Sequence, residues 1–230
     1  MPPAATITTT LLVDDVELTG ELTVPPGAAG LIVFAHGSGS GRASPRNQYV
    51  ATRFVGAGLA TLLFDLLTPG EEAAERYTRH LRFDIPLLAS RLVGAVRWAS
   101  RRAPIAELPI GLFGASTGAA AALIAATRTP VATVVSRGGR PDLAGAALPA
   151  VRCPTLLVVG GDDLQVLDLN VEAARQMTAP VTLHIVEGAT HLFEEPGALD
   201  EVTDVATAWF REQLAEHAAR RAELEPSWDH

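Results

Sequence analysis

The feature that most constrains the fold is a regular alternation of short apolar runs with longer amphipathic stretches. Six strand-like runs occupy residues 31–35, 60–64, 110–113, 131–135, 155–159 and 181–186. Five stretches with apolar residues at helical spacing lie between or after them, at 46–57, 83–100, 116–126, 167–177 and 199–219. Strand, helix and strand in this order form right-handed crossovers. The alternation therefore predicts an α/β fold with a mostly parallel central sheet flanked by helices.

The segment before the first of these runs has a different pattern. Residues 7–24 mix Thr, Val and Leu in near alternation on either side of Asp14 and Asp15, which predicts two antiparallel strands at a sheet edge. Fewer than about 20 residues connect the fourth run to the fifth, which is too few for a helical cap domain. We therefore expect the functional site of such a fold to be covered only by loops. We expect one domain over residues 1–230, with its core at about 5–218 and a polar tail at 220–230.

Charge and composition exclude several classes of protein. All 18 basic residues are arginines, and 26 acidic residues give a net charge of −8, which argues against a nucleic-acid partner. No apolar run approaches the roughly 18 residues of a membrane span. The first ten residues contain no basic residue and no apolar core of a secretory signal, so a cytoplasmic location is expected. Cys153 is the single cysteine and is expected to be a small buried side chain.

The strongest chemical motif is Gly114-Ala115-Ser116-Thr117-Gly118, which lies between a strand-like run and an Ala-rich helix. In a strand-turn-helix of this kind, the glycines allow strand and helix to approach closely. The serine is held in a strained backbone conformation that exposes its Oγ. The helix N-terminus directs its amides toward a developing oxyanion. Ser116 is therefore the candidate nucleophile, and a Gly-rich packing turn is the alternative.

A second glycine-rich turn, residues 36–41, follows the first parallel strand. Its glycines allow the backbone to approach a substrate carbonyl, and it lacks the spacing and the lysine of a phosphate-binding loop. We expect the amides of Ser38 and Thr117 to form the oxyanion hole. Gly37 is the alternative first donor and a substrate-binding position. His36 is expected to be structural, because the general base of such a site lies downstream of the turn that carries the nucleophile, the elbow at residues 114–118.

The candidate base and acid both follow later strands. His191 lies in a turn between the last strand and the last helix, whereas the other downstream histidines, at 184, 217 and 230, lie in a strand, a helix and the tail. Asp162 and Asp163 end the fifth run, and one of them must reach the histidine Nδ1. We expect Asp163 to do so. Asp65 also ends a strand and is expected to have a structural role.

The order Ser116, Asp163, His191, together with residues 36–39 and the strand end at 160–163, resembles the α/β-hydrolase superfamily. The resemblance covers about residues 5–218 and is specific for the fold and the triad rather than for the substrate. Within the superfamily, the short chain without a cap resembles the dienelactone hydrolase-like family. The dienelactone hydrolases that name the family use a cysteine nucleophile, and Ser116 stands in its place here. This departure argues against dienelactone itself as the substrate.

These residues predict a serine hydrolase that transfers an acyl group from a small ester or lactone to water, with no cofactor and no metal. Because the same triad serves several reactions, the alternatives are a thioesterase, an amidase, an acyltransferase or a non-catalytic ligand-binding homologue. Arg137 follows the fourth strand-like run and is a candidate for binding a substrate carboxylate. Its alternative role is to pair with an acid such as Asp142 and order the loop.

Overall fold

Eight strands form a single sheet in the computed structural model, which describes residues 4–224 apart from the side chain of Arg76. They are β1 (Ala5–Val13), β2 (Val16–Val24), β3 (Leu31–Ala35), β4 (Ala60–Phe64), β5 (Ile110–Ala115), β6 (Thr133–Arg137), β7 (Thr155–Gly160) and β8 (Val181–Val186). Their order in the sheet is β1-β2-β4-β3-β5-β6-β7-β8. Strand β2 is antiparallel to both of its neighbours, and all pairs from β4 to β8 are parallel.

Six α-helices connect or follow the strands. They are α1 (Pro45–Gly56), α2 (Pro69–Thr78), α3 (Ile85–Ala99), α4 (Thr117–Ala126), α5 (Leu164–Gln176) and α6 (Ala198–Leu224). Two 3₁₀ segments, Leu81–Phe83 and Pro141–Ala150, lie in the connections. Among the residues that the structure describes, no helix combines the length and apolar character needed to cross a membrane.

The predicted architecture is confirmed, including the antiparallel pair about Asp14 and Asp15. Between β6 and β7 lies only the 3₁₀ segment Pro141–Ala150, so no cap domain is inserted there. Helix α6 continues to Leu224, five residues beyond its predicted end. Residues 220–224 are therefore helical rather than part of a loose tail, and the rest of the predicted tail lies outside the described residues.

Two predictions about the connections were wrong. Strand β6 begins at Thr133 rather than Val131 and ends at Arg137, so that Arg137 belongs to the sheet. Helix α2 was not predicted, because it is rich in glutamate and contains few large apolar residues. It is stabilised instead by a capping box, in which the Thr68 side chain accepts the Glu71 amide and the Glu71 carboxylate accepts the Thr68 amide.

The sheet is buried on both faces, which explains why its parallel strands are almost wholly apolar. Helices α3 and α4 cover one face, and α1 and α6 cover the other. Residues 119–122 of α4 are four consecutive buried alanines, whose small side chains allow close packing between the sheet and α3. On the opposite face, four phenylalanines pack edge to face or tilted at centroid distances of 5.0 to 5.9 Å: Phe34, Phe54, Phe113 and Phe210.

Candidate active site

The turn between β5 and α4 holds Ser116 in a strained backbone conformation. Its φ is 50° and its ψ is −121°, values that a residue with a side chain rarely adopts. The Ser116 amide donates to Arg137 O at 3.2 Å, and Ser116 O accepts the amide of Arg140 at 3.0 Å. Hydrogen bonds to the last residue of β6 and to the segment after it therefore fix the backbone of the predicted nucleophile on both sides.

Gly118 is required by the close approach of α4 to the end of β3. A Cβ atom at this position would overlap Ala35 O and would lie 2.6 Å from His36 O. These are backbone atoms, which cannot rotate away as a side chain can. The first turn of α4 is thus held directly against the glycine-rich turn, as expected for an elbow of this kind.

The structure brings Asp163 and His191 together. Asp163 Oδ2 lies 2.7 Å from His191 Nδ1, and this carboxylate is mostly buried, with 16% of its side chain exposed. Such a partner keeps the proton on Nδ1 and leaves Nε2 able to accept one. The neighbouring Asp162 is exposed, and its amide donates to Ala189 O at 3.0 Å. Within residues 4–224, the Asp162 carboxylate has no hydrogen bond to His191.

Gly160 explains how the turn that carries His191 reaches the end of β7. A Cβ atom on Gly160 would overlap Ala189 O and would lie 2.8 Å from Thr190 O. The backbone of the 188–191 turn therefore lies directly on the strand end that precedes Asp163. The 2.7 Å pair depends on this contact between two stretches of main chain.

Gly138 lies between the serine and the histidine. It follows Arg137, whose carbonyl binds the Ser116 amide, and a Cβ on Gly138 would lie 3.7 Å from His191 Cε1. Ser116 and the imidazole therefore both lie against residues 137 and 138, at the carboxyl edge of the sheet. Within the described part of the chain, Ser116 Oγ has no hydrogen-bond partner. Catalytic hydrogen bonds are often long in free enzymes and tighten when substrate binds.

The two predicted oxyanion residues are also brought together. The Ser38 amide donates to Thr117 Oγ1 at 3.0 Å, and Thr117 is buried with 3% of its surface exposed. A Cβ on Gly37 would lie 3.0 Å from Ser116 Cβ, so the alternative donor adjoins the nucleophile. In this structure, the Ser38 amide is thus directed at the Thr117 hydroxyl.

Comparisons with known proteins identify the family. The family profile described as an alpha/beta hydrolase domain matches residues 28–219. The chain belongs to the α/β-hydrolase family. A dienelactone hydrolase structure from Anabaena variabilis is 54% identical, covers 91% of this chain and 98% of its own, and has a TM-score of 0.90. Est1E from Butyrivibrio proteoclasticus, which is 17% identical with a TM-score of 0.74, covers 90% of this chain and 99% of its own. At that identity Est1E shows the fold alone.

Two curated Mycobacterium tuberculosis proteins, from strains H37Rv and CDC 1551, are also similar. Both are named "Putative phosphoribosyl transferase", and each is 53% identical over 215 residues. The match covers 93% of this chain and 48% of each relative. The chain therefore spans about half the length of these relatives, and the shared half is the part with the α/β-hydrolase fold.

His36 of this hydrolase holds the glycine-rich turn in place. Its Nε2 accepts the Leu66 amide at 3.0 Å, so its Nδ1 carries the proton and donates to Gly37 O at 3.0 Å. Burial lowers the pKa of His36 below its ordinary value, against the hydrogen bond to Gly37 and the charges of Asp65 and Glu72, which raise it. Both ring nitrogens are bonded to backbone, in agreement with the structural role expected of His36.

Arg137 does not pair with Asp142. Asp142 instead forms a two-fold hydrogen bond with Arg140, at 2.8 Å for each contact. The Arg137 guanidinium lies 5.8 Å from the centroid of the Phe113 ring, and its Nη1 is buried with no hydrogen-bond partner among residues 4–224. Burial lowers the pKa of Arg137 to about 10, with a smaller effect in the same direction from Arg46. The group therefore remains charged at neutral pH.

Helix α2, which was not predicted from the sequence, borders the site. Residues of α2 and of Leu81–Phe83, together with the 36–40 turn, line a cavity of about 20 Å³, enough for one water molecule. At its edge, Arg82 binds the buried carboxylate of Glu75 at 2.5 Å. The S/T-x-x-E pattern at Thr68 to Glu71 is the signal that identifies this helix from sequence. The glycine-rich turn is thus bordered by a helix as well as by loops.

The remaining candidates have structural contacts or lie outside the site. The Asp65 carboxylate accepts hydrogen bonds from the main-chain amide of Arg42, at 2.8 Å, and from the Arg42 guanidinium. This is a structural contact. His184 pairs with Glu201 at 2.8 Å on the surface. Burial raises the pKa of the Cys153 thiol to about 11, so this cysteine is not a thiolate at neutral pH. Within residues 4–224, no group of three His, Cys, Asp or Glu side chains is arranged to hold a metal ion.

Proposed function

We propose that this hydrolase cleaves a carboxylic ester or lactone, with Ser116 as nucleophile, His191 as general base and Asp163 as the carboxylate behind it. The observation that carries the proposal is the 2.7 Å contact between Asp163 and His191 Nδ1, made beside a serine with a φ of 50°. A buried carboxylate bound to Nδ1 leaves Nε2 free to take the serine proton. The family and the 54% identical dienelactone hydrolase support the same chemistry.

The proposed reaction has two halves. Ser116 Oγ attacks the carbonyl carbon while His191 Nε2 takes its proton, and Asp163 stabilises the imidazolium. The tetrahedral intermediate then expels the alcohol, which receives the proton from His191, and leaves an acyl-Ser116 ester. In the second half, His191 deprotonates a water that attacks this ester. The acid leaves, and Ser116 regains its proton.

The oxyanion is proposed to be bound at the first turn of α4. The Thr117 amide is one of the first donors of that helix, which have no partner within it. The Ser38 amide already lies at this turn, on the Thr117 hydroxyl. A substrate oxygen bound there accepts the Ser38 amide either together with the Thr117 hydroxyl or in its place. Because charge develops on this oxygen only in the transition state, the exchange favours the transition state over the bound ester.

We infer that the substrate has a short or compact acyl group. No cap domain is inserted between β6 and β7, and the cavity beside the 36–40 turn holds about one water molecule. Long chains would gain little apolar contact at such a site. Acetyl to butyryl esters are therefore expected to react faster than esters of twelve carbons or more, without activation by a lipid interface.

The test combines labelling with a substrate panel. A fluorophosphonate probe is expected to modify Ser116 alone, as located by peptide mass, and Ser116→Ala is expected to remain unlabelled. The labelled enzyme is then compared with untreated enzyme on matched esters, lactones, thioesters and amides. Turnover of thioesters or amides above that of every ester would replace the proposed reaction by one of those activities. Absence of both labelling and turnover would indicate a ligand-binding homologue.

A further inference from the structure

A second cavity, larger than the one beside the active site, lies near the ends of α3 and α4. Its volume is about 420 Å³, within the range of small-molecule sites. Three arginines line it together with the hairpin turn after β1: Arg97, Arg101 and Arg128. Helices α3 and α4 each lead to the amino end of the next strand, so this cavity lies at the amino edge of the sheet. Ser116, Asp163 and His191 lie at the opposite edge.

The charge of this cavity contrasts with that of the whole chain. The net charge of the protein is −8, yet the lining of this cavity contains three arginines and one acidic residue, Asp14. Across residues 4–224, none of the three guanidinium groups has a carboxylate within ion-pair distance. Nine other arginines of the described chain form ion pairs: Arg42, Arg46, Arg53, Arg82, Arg91, Arg140, Arg175, Arg220 and Arg221. Five others of the described chain form none, but only Arg97, Arg101 and Arg128 share the lining of this cavity.

Favourable interaction with helix C-termini explains part of this arrangement. Arg97 lies in the last turn of α3, and Arg101 and Arg128 follow α3 and α4 closely. Cations at such ends interact favourably with the helix dipole. That effect acts on each side chain separately, however, and does not require three of them to line one cavity without carboxylate partners.

We propose that this cavity binds a small molecule through a phosphate or diphosphate group. A guanidinium presents a planar pair of donors that matches phosphate oxygens, and three of them supply more positive charge than one carboxylate of the lining offsets. The Ser90 side chain adds a hydroxyl, and Leu12 and Val93 add apolar surface for the organic part of the ligand. Binding here does not require Ser116, so the inference is independent of the proposed esterase activity.

The test is calorimetric titration of the full chain with inorganic pyrophosphate and with ADP at about 50 mM salt. One site is expected, and Arg97→Gln or Arg128→Gln should each raise Kd by about 10-fold or more, since each removes charge-assisted hydrogen bonds. The matched control is Arg211→Gln, which removes an exposed and unpaired arginine from α6, outside the cavity. It should change Kd less than about twofold.

The outcomes separate the possible ligands. Tighter binding of ADP than of pyrophosphate supports a nucleotide-like ligand, and equal binding supports recognition of the phosphate group alone. No binding at millimolar concentration, or an equal loss in the Arg211→Gln control, would overturn the proposal. Thermal melting of each variant shows whether it is folded, and fluorophosphonate labelling of Ser116 reports on the other site in the same samples.

Discussion

The two turns that meet at the candidate active site are held by different forces. The elbow around Ser116 is fixed by main-chain packing, because Gly118 allows α4 to lie against the end of β3. The glycine-rich turn at 36–41 is fixed mainly by side chains: His36 binds the Leu66 amide, and Thr117 binds the Ser38 amide. Main-chain packing is insensitive to pH and intolerant of added atoms. Side-chain hydrogen bonds tolerate small additions, and the one made by His36 depends on the protonation of its ring.

The largest expected difference between the two turns is in activity. Ser116→Ala should reduce ester hydrolysis to below about 1% of wild type, because it removes the nucleophile itself. Ser38→Ala should keep most of the activity, since Ser38 is proposed to act through its amide. Steady-state rates on a short ester measure both. Unchanged melting temperatures would exclude unfolding as the cause, and residual turnover of Ser116→Ala above that level would remove it from the mechanism.

The second prediction tests the pair of Asp163 and His191. Asp163→Asn should reduce kcat by about 10² to 10⁴-fold, because an amide can stabilise neither the required tautomer nor the imidazolium. The matched variant Asp162→Asn should change kcat less than about threefold, since Asp162 is exposed and contacts Ala189 only through its amide. Equal losses in the two variants, measured on the same ester, would contradict the assignment of Asp163.

The third prediction compares how much an added methyl group in each of the same two turns lowers the free energy of unfolding. Gly118→Ala should destabilise the fold by about 3 kcal/mol or more, because the added methyl group overlaps main-chain oxygens that cannot rotate away. Gly39→Ala should cost about 1 kcal/mol, the strain of placing a side chain at a φ of 72°. Its new Cβ would lie 3.3 Å from Arg82 Nη1, at the end of a flexible side chain. Urea unfolding measures both, and a larger cost at Gly39 would reverse the comparison.

Sequence reasoning succeeded where one local pattern determines the outcome. The elbow at 114–118 is such a pattern, since a serine between two glycines at a strand-to-helix junction has few other structural explanations. The parallel strands were similarly clear, because buried strands are continuous apolar runs. Topology identified Asp162 and Asp163 as the candidate acids without deciding between them, and in the structure Asp163 contacts His191.

Sequence reasoning failed where distant contacts decide. The apolar run at 131–135 does not show where pairing begins, and the register of Thr133 with Gly111 moves Arg137 from a loop into the sheet. Helix α2 contains few large apolar residues, and the local signals of its start were its capping box and Pro69. The cavity of Arg97, Arg101 and Arg128 depends on how α3 and α4 pack, which neither helix reveals alone.

The fourth prediction concerns the pH dependence of the glycine-rich turn. Burial lowers the pKa of His36 in the folded state, so below the ordinary value of about 6.5 the unfolded chain binds more protons than the folded one. Stability should therefore fall as the pH decreases from 7 to 5. His36→Asn should flatten that slope, measured as melting temperature against pH. An unchanged slope in His36→Asn would contradict this role of His36.

The smallest expected effect concerns Arg137, which adjoins the turn of the nucleophile because its carbonyl accepts the Ser116 amide. Its charge has no carboxylate partner among residues 4–224, and one of its donors, Nη1, is buried without a hydrogen bond. A buried donor without a partner is costly, so a substrate carboxylate that reaches this group would be bound favourably. We therefore propose that Arg137 favours esters that bear a carboxylate.

Arg137→Ala should lower kcat/KM on a carboxylate-bearing ester about 10-fold and leave a matched neutral ester within about twofold. Arg140→Ala is the control, because Arg140 already pairs with Asp142 and orders the same segment. Its effect should be equal on the two esters. A loss that is also equal on both esters in Arg137→Ala would mean that this side chain, stacked on Phe113, only supports the strand that holds the elbow.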